Sequence, residues 1–597
     1  MIAHQQLERA ESVRPAAWGW MTLTKRWPPV ESTLIVILAA LVIGFLAWPM
    51  LFTSSGMAQD WSNHLWYLWR QSATISRDHY PSLFLNDGGS VFYPFYAFYG
   101  GTIYALFGTL AVALGDAPVA AYVISYVLGF AAAYGGWYSL ARMAGLRRWQ
   151  AQIPALLFIS SAYYLTLVYA RGDWSEFLAV STLPLLVASG LRVLVADRVS
   201  LRWMILLAAS SVVFFGSHNI TMLWGVTALA VSALATVIVI PQIRRRVTLR
   251  RLVRVFAVVI PSALVNAWYL FPALAYGQRS WIATHYDYAG SLHSTAFLVS
   301  ASNLFTFSRA STVNNTPDFV LALPLLAVAW VLVSIVLSVI HRGDALWRRM
   351  LWVLSALSLV FVLLMTHVGL LLALPRPYTL LQFSYRLETY VLLGLCGAVL
   401  ATLVLARSWP RRWQAWSWTA VIVLIASGVG AAQQVKAYPR GNEDPGVVVS
   451  NRYQVFNPNR QPPFTGGLGD YNDATLPLVE PAGSPVGLAF PTAIHHERVT
   501  IRVTEPSGTL VHTNLTGAPY LVRVTGAKIV GRDKSGDMVL EVGPGRRSRD
   551  QITLSRSDRL PVTLGRLVTP VALAILVLML AVCLIRRAHA RQARPGG

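Results

Sequence analysis

The segment TLGRLVTPVALAILVLMLAVCLI, residues 563–585, runs directly into Arg586-Arg587. Arg566 is the only charged side chain inside it. A run this long and this apolar matches the ~20 residues a helix needs to cross the hydrocarbon core of a bilayer. The paired arginines behind it are the usual flank of a span end that stays on the positive side of the membrane. Comparable apolar runs lie near 32–52, 95–114, 118–141, 151–170, 176–196, 202–217, 220–241, 254–275, 318–340, 350–374, 387–406 and 414–433. The whole chain follows this pattern. It is 55% hydrophobic and only 13% charged, with a mean hydropathy of +0.51, whereas soluble proteins carry roughly 25% charged residues. The expected fold class is therefore an all-α polytopic membrane protein.

Arginine placement orients the runs. The net charge of +23 comes largely from clusters between spans: Arg147-Arg148, Arg244-Arg245-Arg246 with Arg250, Arg251 and Arg254, Arg348-Arg349, Arg411-Arg412 and Arg586-Arg587. These read as positive-inside loops, and no basic, aromatic-interleaved module for nucleic acid is present. All the clusters fall on one side if the run 95–114 does not cross. That run opens Tyr93-Pro94-Phe95-Tyr96 and contains Gly100-Gly101 and Gly108, so it reads as an interfacial, juxtamembrane helix. About twelve crossings with both termini cytoplasmic follow. Cys396 and Cys583 both lie in apolar runs and support neither a disulfide framework nor a cysteine metal site. The first run reads as a retained anchor rather than a cleaved signal.

The domain reading has five parts: an N-terminal cytoplasmic segment 1–30, a transmembrane core 31–434 with a long first outer loop 54–117, an extracytoplasmic β-rich domain 435–562, a last span 563–586 and a basic tail 587–597. The β-rich part shows period-two alternation in Val499–Thr504, Tyr520–Val524 and Met538–Val542, which reads as strands of a small sandwich.

Polar residues gather where spans meet the outer face. Asp60 and His64 are i,i+4 and share a helix face; the pair suits base and partner, or metal binding, and equally an N-cap beside a solvated histidine. Arg171-Gly172-Asp173-Trp174-Ser175-Glu176 packs four polar groups into a tight turn, though Asp173 or Ser175 could simply cap the next helix. Ser217-His218-Asn219 is a further short hairpin. Gln382 through Arg386 and Glu388 leads into another span, where Arg386 needs an anion partner: Glu388, another acid or a lipid phosphate. No P-loop, dinucleotide fingerprint, zinc-protease or nucleophile-elbow motif occurs in a suitable context.

This arrangement resembles the GT-C superfamily of membrane glycosyltransferases that use polyprenyl-phosphate sugars. Asp60 matches the acidic position that opens the first outer loop in that fold, and Asp173 or Glu176 the second acidic site. More narrowly, the chain is similar to bacterial membrane proteins labelled 6-pyruvoyl-tetrahydropterin synthase-related, a label that implies no pterin chemistry. The similar pieces are the Asp60–His64 pair, Phe92-Tyr93-Pro94 through Phe107-Gly108, Arg171-Gly172 with Glu176-Phe177-Leu178-Ala179, Ser217-His218-Asn219 and Gln382 through Arg386, within roughly residues 30–410. The chain departs from other GT-C members in lacking a clear DxD or DD pair after the first span.

The resemblance implies transfer of a sugar from a polyprenyl-phosphate donor to a glycan or lipid-linked acceptor at the outer face of a bacterial plasma membrane, with inversion. It assigns Asp60 as base with His64 beside it, Arg386 and Arg171 to the donor phosphate, and Asp173, Glu176, His218 and Gln382 to the sugar or to a divalent cation. Arabinosyl or mannosyl donors would suit the Ala- and Arg-rich composition. The rival reading is a non-enzymatic flippase or scaffold for lipid-linked envelope glycans.

Overall fold

The computed structural model describes residues 29–52, 60–86, 92–197, 200–280, 304, 322–341, 344–381, 383–436, 449, 475–479, 488–489, 491–495, 497–516, 519–534, 537–544 and 551–592. Every apolar run of the sequence forms a helix or a pair of helices. The first four are α1 (Pro29–Phe52), the amphipathic α2 (Trp61–Asp78), the short α3 (Gly101–Ala113) and α4 (Pro118–Met143). Next come α5 (Arg148–Ile159), α6 (Ala162–Tyr169), α7 (Trp174–Val195), α8 (Leu201–Ser217), α9 (Asn219–Val239), α10 (Leu249–Leu264) and α11 (Ala267–Tyr276). The series ends with α12 (Leu325–Ile340), α13 (Ala345–Thr366), α14 (Glu388–Leu405), α15 (Arg411–Lys436) and α16 (Leu560–Gln592).

Among the described residues, six helices are long and apolar enough to cross a membrane, or eight if each of two bent pairs is one span. The expected twelve crossings exceed that number. The difference lies in α15 and in short apolar helices such as Leu201–Ser217 and Leu325–Ile340. The helix α3, 13 residues long, reaches only about 20 Å at 1.5 Å per residue, less than the ~30 Å core of a bilayer.

The bent pairs are α5 with α6, at 51°, and α10 with α11, at 75°. The second break falls after Pro261, where Asn266 is buried. Asn266 Nδ2 donates to the carbonyls of Val212 (3.3 Å) and Ser262 (3.1 Å). A kink in a membrane helix is tolerated where side chains satisfy such freed backbone groups.

Burial sorts the helices into layers. The span containing α14 is the most enclosed of the six, and the one containing α16 the most open. On α16, Leu567, Val571 and Leu578 are each more than half exposed. An apolar surface of this extent is stable only against lipid, so the chain is a multi-pass membrane protein.

The C-terminal β region contains two four-stranded sheets. Strands β1 (Leu85–Asn86) and β2 (Phe92–Tyr93) lie between α2 and α3 and pair with each other. The strands after them are β3 (Leu488–Ala489), β4 (Pro491–His495), β5 (Arg498–Arg502), β6 (Leu510–Thr516), β7 (Val522–Thr525), β8 (Ala527–Arg532), β9 (Asp537–Val542) and β10 (Gln551–Arg556). One sheet runs β4-β5-β10-β7, fully antiparallel, and the other β3-β6-β9-β8. The alternation read in Val499–Thr504 is the burial alternation of β5, where Val499 and Ile501 are buried.

Glu497 fastens this region to the rest. Its Oε1 accepts from the Leu83 N–H (2.8 Å) and the Ser82 hydroxyl (3.2 Å) of the segment after α2. Its Oε2 accepts from Arg556 and from Arg566 of α16 (2.7 Å). Ser82 is in turn held by both ends of the Gln71 amide on α2. A buried carboxylate with two guanidiniums and two neutral donors thus ties the sheets to the helix that begins beside Asp60.

Candidate active site

Four separate segments converge at one end of the bundle. The Asp60 N–H donates to the Arg171 carbonyl (2.8 Å), joining the start of α2 to the turn before α7. Gly172 makes that approach possible. It has φ +65°, and a Cβ there would lie 2.6 Å from the Trp61 nitrogen. Gly100, at φ +55°, plays the same part against the third segment, since a Cβ would collide with the Ser217 carbonyl oxygen. Asn219 Nδ2 then donates to the Phe98 carbonyl (2.7 Å). The fourth segment is the 3-10 turn Ser384–Leu387, which leads into α14.

The charges meet in a buried network. Arg171 donates from Nη2 to Asp173 Oδ2 and from Nη1 to Glu176 Oε2, both at 2.8 Å. Arg386 approaches the same two oxygens, at 3.1 Å from Glu176 and 3.6 Å from Asp173. Asp173 Oδ1 accepts from the Glu176 N–H (3.0 Å) and the Ser175 hydroxyl (3.1 Å), and Glu176 Oε1 from the Tyr163 hydroxyl (2.7 Å). Asp173 is therefore both the N-cap of α7 and a partner of two guanidiniums. Arg171 also lies over the Tyr385 ring, and Arg386 over Phe383. Two cations and two anions cancel, which is what makes their burial tolerable. Burial alone would raise the Asp173 carboxyl, but Arg171, followed by His218, Arg386 and His64, holds it well below the usual carboxylate range.

His64 does not pair with Asp60 as the i,i+4 spacing suggested. Its Nδ1 lies 2.6 Å from the Tyr104 hydroxyl, and its Nε2 3.8 Å from Asp173 Oδ1. A carboxylate attracts only a donor, so the Nε2–H tautomer follows, with Tyr104 donating to Nδ1. Burial, then Arg171, lowers the imidazole pKa to about 4 against the opposing pull of Asp173. His218 Nδ1 accepts from the Thr221 N–H (3.2 Å); burial first, then Arg386, brings its pKa down to about 3. Both rings are neutral at neutral pH. Tyr99 lies between them, stacked on His64 and edge-on to His218.

Asp60 is the contrasting carboxylate. It is half-buried, and among the described residues its Oδ1 accepts only a long bond from Asn63 Nδ2, at 3.4 Å. Burial, then the charge of Asp173, raises it to about 6 in spite of Arg171 and Arg386. Arg386 Nη1 is buried with no hydrogen-bond partner among the described residues. The site therefore holds a weakly bonded carboxylate at Asp60 and a guanidinium nitrogen of Arg386 free to donate.

Asp173, Glu176 and His218 have ligand atoms within 4.8 Å of one another, close enough to surround a cation. The donor set does not fit one. All four carboxylate oxygens already accept hydrogen bonds, and two guanidiniums occupy the charge a metal would neutralise. Glu388 is not the partner of Arg386: both its oxygens are buried without a hydrogen bond, and Asp173 with Glu176 takes that place. Gln382 lies outside the described residues. Sequence reasoning missed Tyr99, Tyr104 and Tyr163 as members of the site. The signal for the first two was the tyrosine-rich, glycine-interrupted run 95–114, which was read only as an interfacial helix.

No family model and no curated protein matches the chain. Two solved structures of the arabinofuranosyltransferase AftD from mycobacteria are similar to it. One aligns over 87% of this chain and 40% of that one, at 15% identity and a TM-score of 0.44. A mutant form aligns over 69% and 28%, at 17% identity and a TM-score of 0.43. The chain spans less than half the length of these two proteins, and likeness at this level does not carry an activity across.

Proposed function

We propose that the chain is a membrane glycosyltransferase of the GT-C type, moving a sugar from a polyprenyl-phosphate donor to an acceptor hydroxyl. The observation that carries this reading is the contrast at the site: the under-bonded carboxylate of Asp60 stands within the electrostatic reach of Arg386, whose Nη1 lacks a partner. Glycosyl transfer to a hydroxyl needs both a base for the acceptor and a cation for the phosphate.

In this mechanism the acceptor hydroxyl loses its proton to Asp60 as its oxygen bonds to the anomeric carbon. The bond from that carbon to the phosphate oxygen breaks, and polyprenyl phosphate leaves. Direct displacement inverts the anomeric centre. A carboxyl raised to about 6 is a stronger base than an ordinary aspartate while still ionised at neutral pH, the condition for general-base catalysis. Arg386 offsets charge on the departing phosphate. Arg171 has its fork filled by Asp173 and Glu176 and acts as the centre that holds Arg386 in place. His64, His218 and Tyr99 line the site for sugar hydroxyls.

The two C-terminal sheets, which we read as the faces of a small sandwich, would hold a glycan or lipid-linked acceptor over this end. The bundle would cross a bacterial plasma membrane twelve times, with Asp60 on the outer side. The test is transfer from radiolabelled polyprenyl-phosphate arabinose or mannose by purified protein. Asp60→Asn is expected to lower turnover by about 10²–10⁴ with the fold intact. Near-normal turnover in that variant rules out the assigned base. Movement of a lipid-linked glycan across the bilayer without any glycosidic bond formed would favour a flippase.

A further inference from the structure

The end of the bundle opposite Asp60 carries a second set of arginines with a different environment. The pair α5 and α6 runs from Arg148 to Tyr169 at the site, and α14 runs from Glu388 at the site to Leu405. Their far ends therefore meet at the other membrane face. There the turn between α4 and α5, residues 144–147, is clasped by Arg407 from beyond α14. Arg407 donates from Nη1 to the Gly145 carbonyl (3.0 Å) and from Nη2 to Gln150 Oε1 (2.8 Å). Gln150 Oε1 also accepts the Arg147 N–H (3.1 Å). Arg142, at the end of α4, reaches back to the Leu146 carbonyl.

Three guanidiniums thus bear on one turn, and the charges of Arg147 and Arg142 both act on Arg407. Among the described residues no ion pair joins Arg142, Arg147 or Arg407 to a carboxylate, whereas Arg251 on the same face is paired with Asp197 at 2.8 Å. Arg142 Nε is buried without a hydrogen-bond partner. The turn also opens α5, with Arg147 as its N-cap, Arg148 as its first residue and no acidic residue in the first turn. A helix N-terminus is already partly positive, so arginine there is the unfavourable sign unless an anion is present.

We propose that Arg142, Arg147 and Arg407 bind the phosphate headgroup of an anionic phospholipid at the membrane face opposite Asp60. Two features select a lipid over a soluble anion. The turn joins helices whose outer surfaces are lipid-facing, with Leu128 of α4 53% exposed. Trp149, two residues beyond Arg147, is also 53% exposed, and indoles of this kind sit at the headgroup level. Basic pockets between helices at a charged leaflet take phosphate headgroups by the same logic.

The test is native mass spectrometry of the purified chain in uncharged detergent after addition of phosphatidylglycerol or phosphatidylcholine. Phosphatidylglycerol is expected to be retained, and phosphatidylcholine to be lost. Arg147→Gln, at an exposed position where folding is not at stake, and Arg407→Gln should each weaken retention about fivefold. Arg348→Gln, on the same face but in α13, should leave it unchanged. Equal retention of both lipids, or equal loss in Arg348→Gln, overturns the site. So does retention that survives Arg147→Gln and Arg407→Gln together. Binding of inorganic phosphate at these arginines with no lipid retained overturns the lipid as occupant.

Discussion

The two ends of the helix bundle handle arginine in opposite ways. At the Asp60 end, Arg171 and Arg386 are buried and matched by Asp173 and Glu176. At the other end, Arg147 and Arg407 are exposed and have no carboxylate partner among the described residues, and Arg407 is held only by a neutral carbonyl and an amide oxygen. A buried guanidinium must bring its counter-charge with it, because desolvation costs several kcal/mol per ion. An exposed one can leave that work to water or to a lipid headgroup. The first arrangement fixes geometry; the second leaves charge available to a ligand.

The strongest way to break this contrast is to remove the centre of the matched network. Arg171→Met leaves Asp173 and Glu176 with Arg386 as their one guanidinium, one buried charge uncompensated, and is expected to cost about 3–5 kcal/mol, read as a fall in the thermal unfolding midpoint in detergent. Arg407→Met, the mirror experiment, should stay within about 0.5 kcal/mol. Similar losses in the two variants would erase the distinction between the ends.

Acidification sharpens the contrast by a smaller amount. His64 and His218 have folded values near 4 and 3, below their ordinary ~6.5, so the unfolded chain binds more protons below that value. Their contribution to stability is present above about pH 6.5 and is lost as pH falls. Asp60, raised to about 6, acts in the other sense and gains folded-state protons as pH falls through 6. Asp537, raised to about 7 by burial and then by Asp533, acts in the same sense as Asp60, so between pH 7 and 5 the two carboxyls offset the two histidines and overall stability changes little. Turnover should fall over the same range, because the Asp60 base becomes protonated. Protonation of either ring above pH 5, read from the imidazole ¹⁵N shifts, would contradict the buried, neutral histidines.

The smallest expected effect tests the second layer of the site. Tyr104→Phe deletes the hydroxyl 2.6 Å from His64 Nδ1 and should cost about 1 kcal/mol. The proton of His64 should then redistribute between its nitrogens, visible in the imidazole ¹⁵N shifts. Unchanged shifts would mean that Tyr104 does not set the tautomer.

The sequence marked polar clusters that the structure brings together, and for a specific reason. Charged residues are so costly near lipid that Asp60, Arg171, Asp173, Glu176, His218 and Arg386 stand out against the apolar runs. It also separated Arg386 from the positive-inside clusters by its position at the start of a span. It did not reveal the pairing. The i,i+4 rule placed His64 with Asp60, yet the ring turns to Tyr104 and Asp173, because a partner 40 residues away offers a hydrogen bond. Glu388 was the near neighbour of Arg386 in sequence, but residues more than 200 positions away supply the carboxylates. The β strands were readable from alternation, whereas the bond from Glu497 to Leu83 crosses 414 positions and left no local trace.

By itself, the amino-acid order determined the helical runs and their polar interruptions. Those properties depend on local composition and on transfer from water to lipid, which act residue by residue. Only the tertiary structure decided which charges neutralise one another, that Asp60 is left under-bonded, and that three arginines share one turn with no carboxylate partner among the described residues. Coulombic pairing and hydrogen bonding depend on distances of a few ångströms between distant parts of the chain, and packing alone sets those distances.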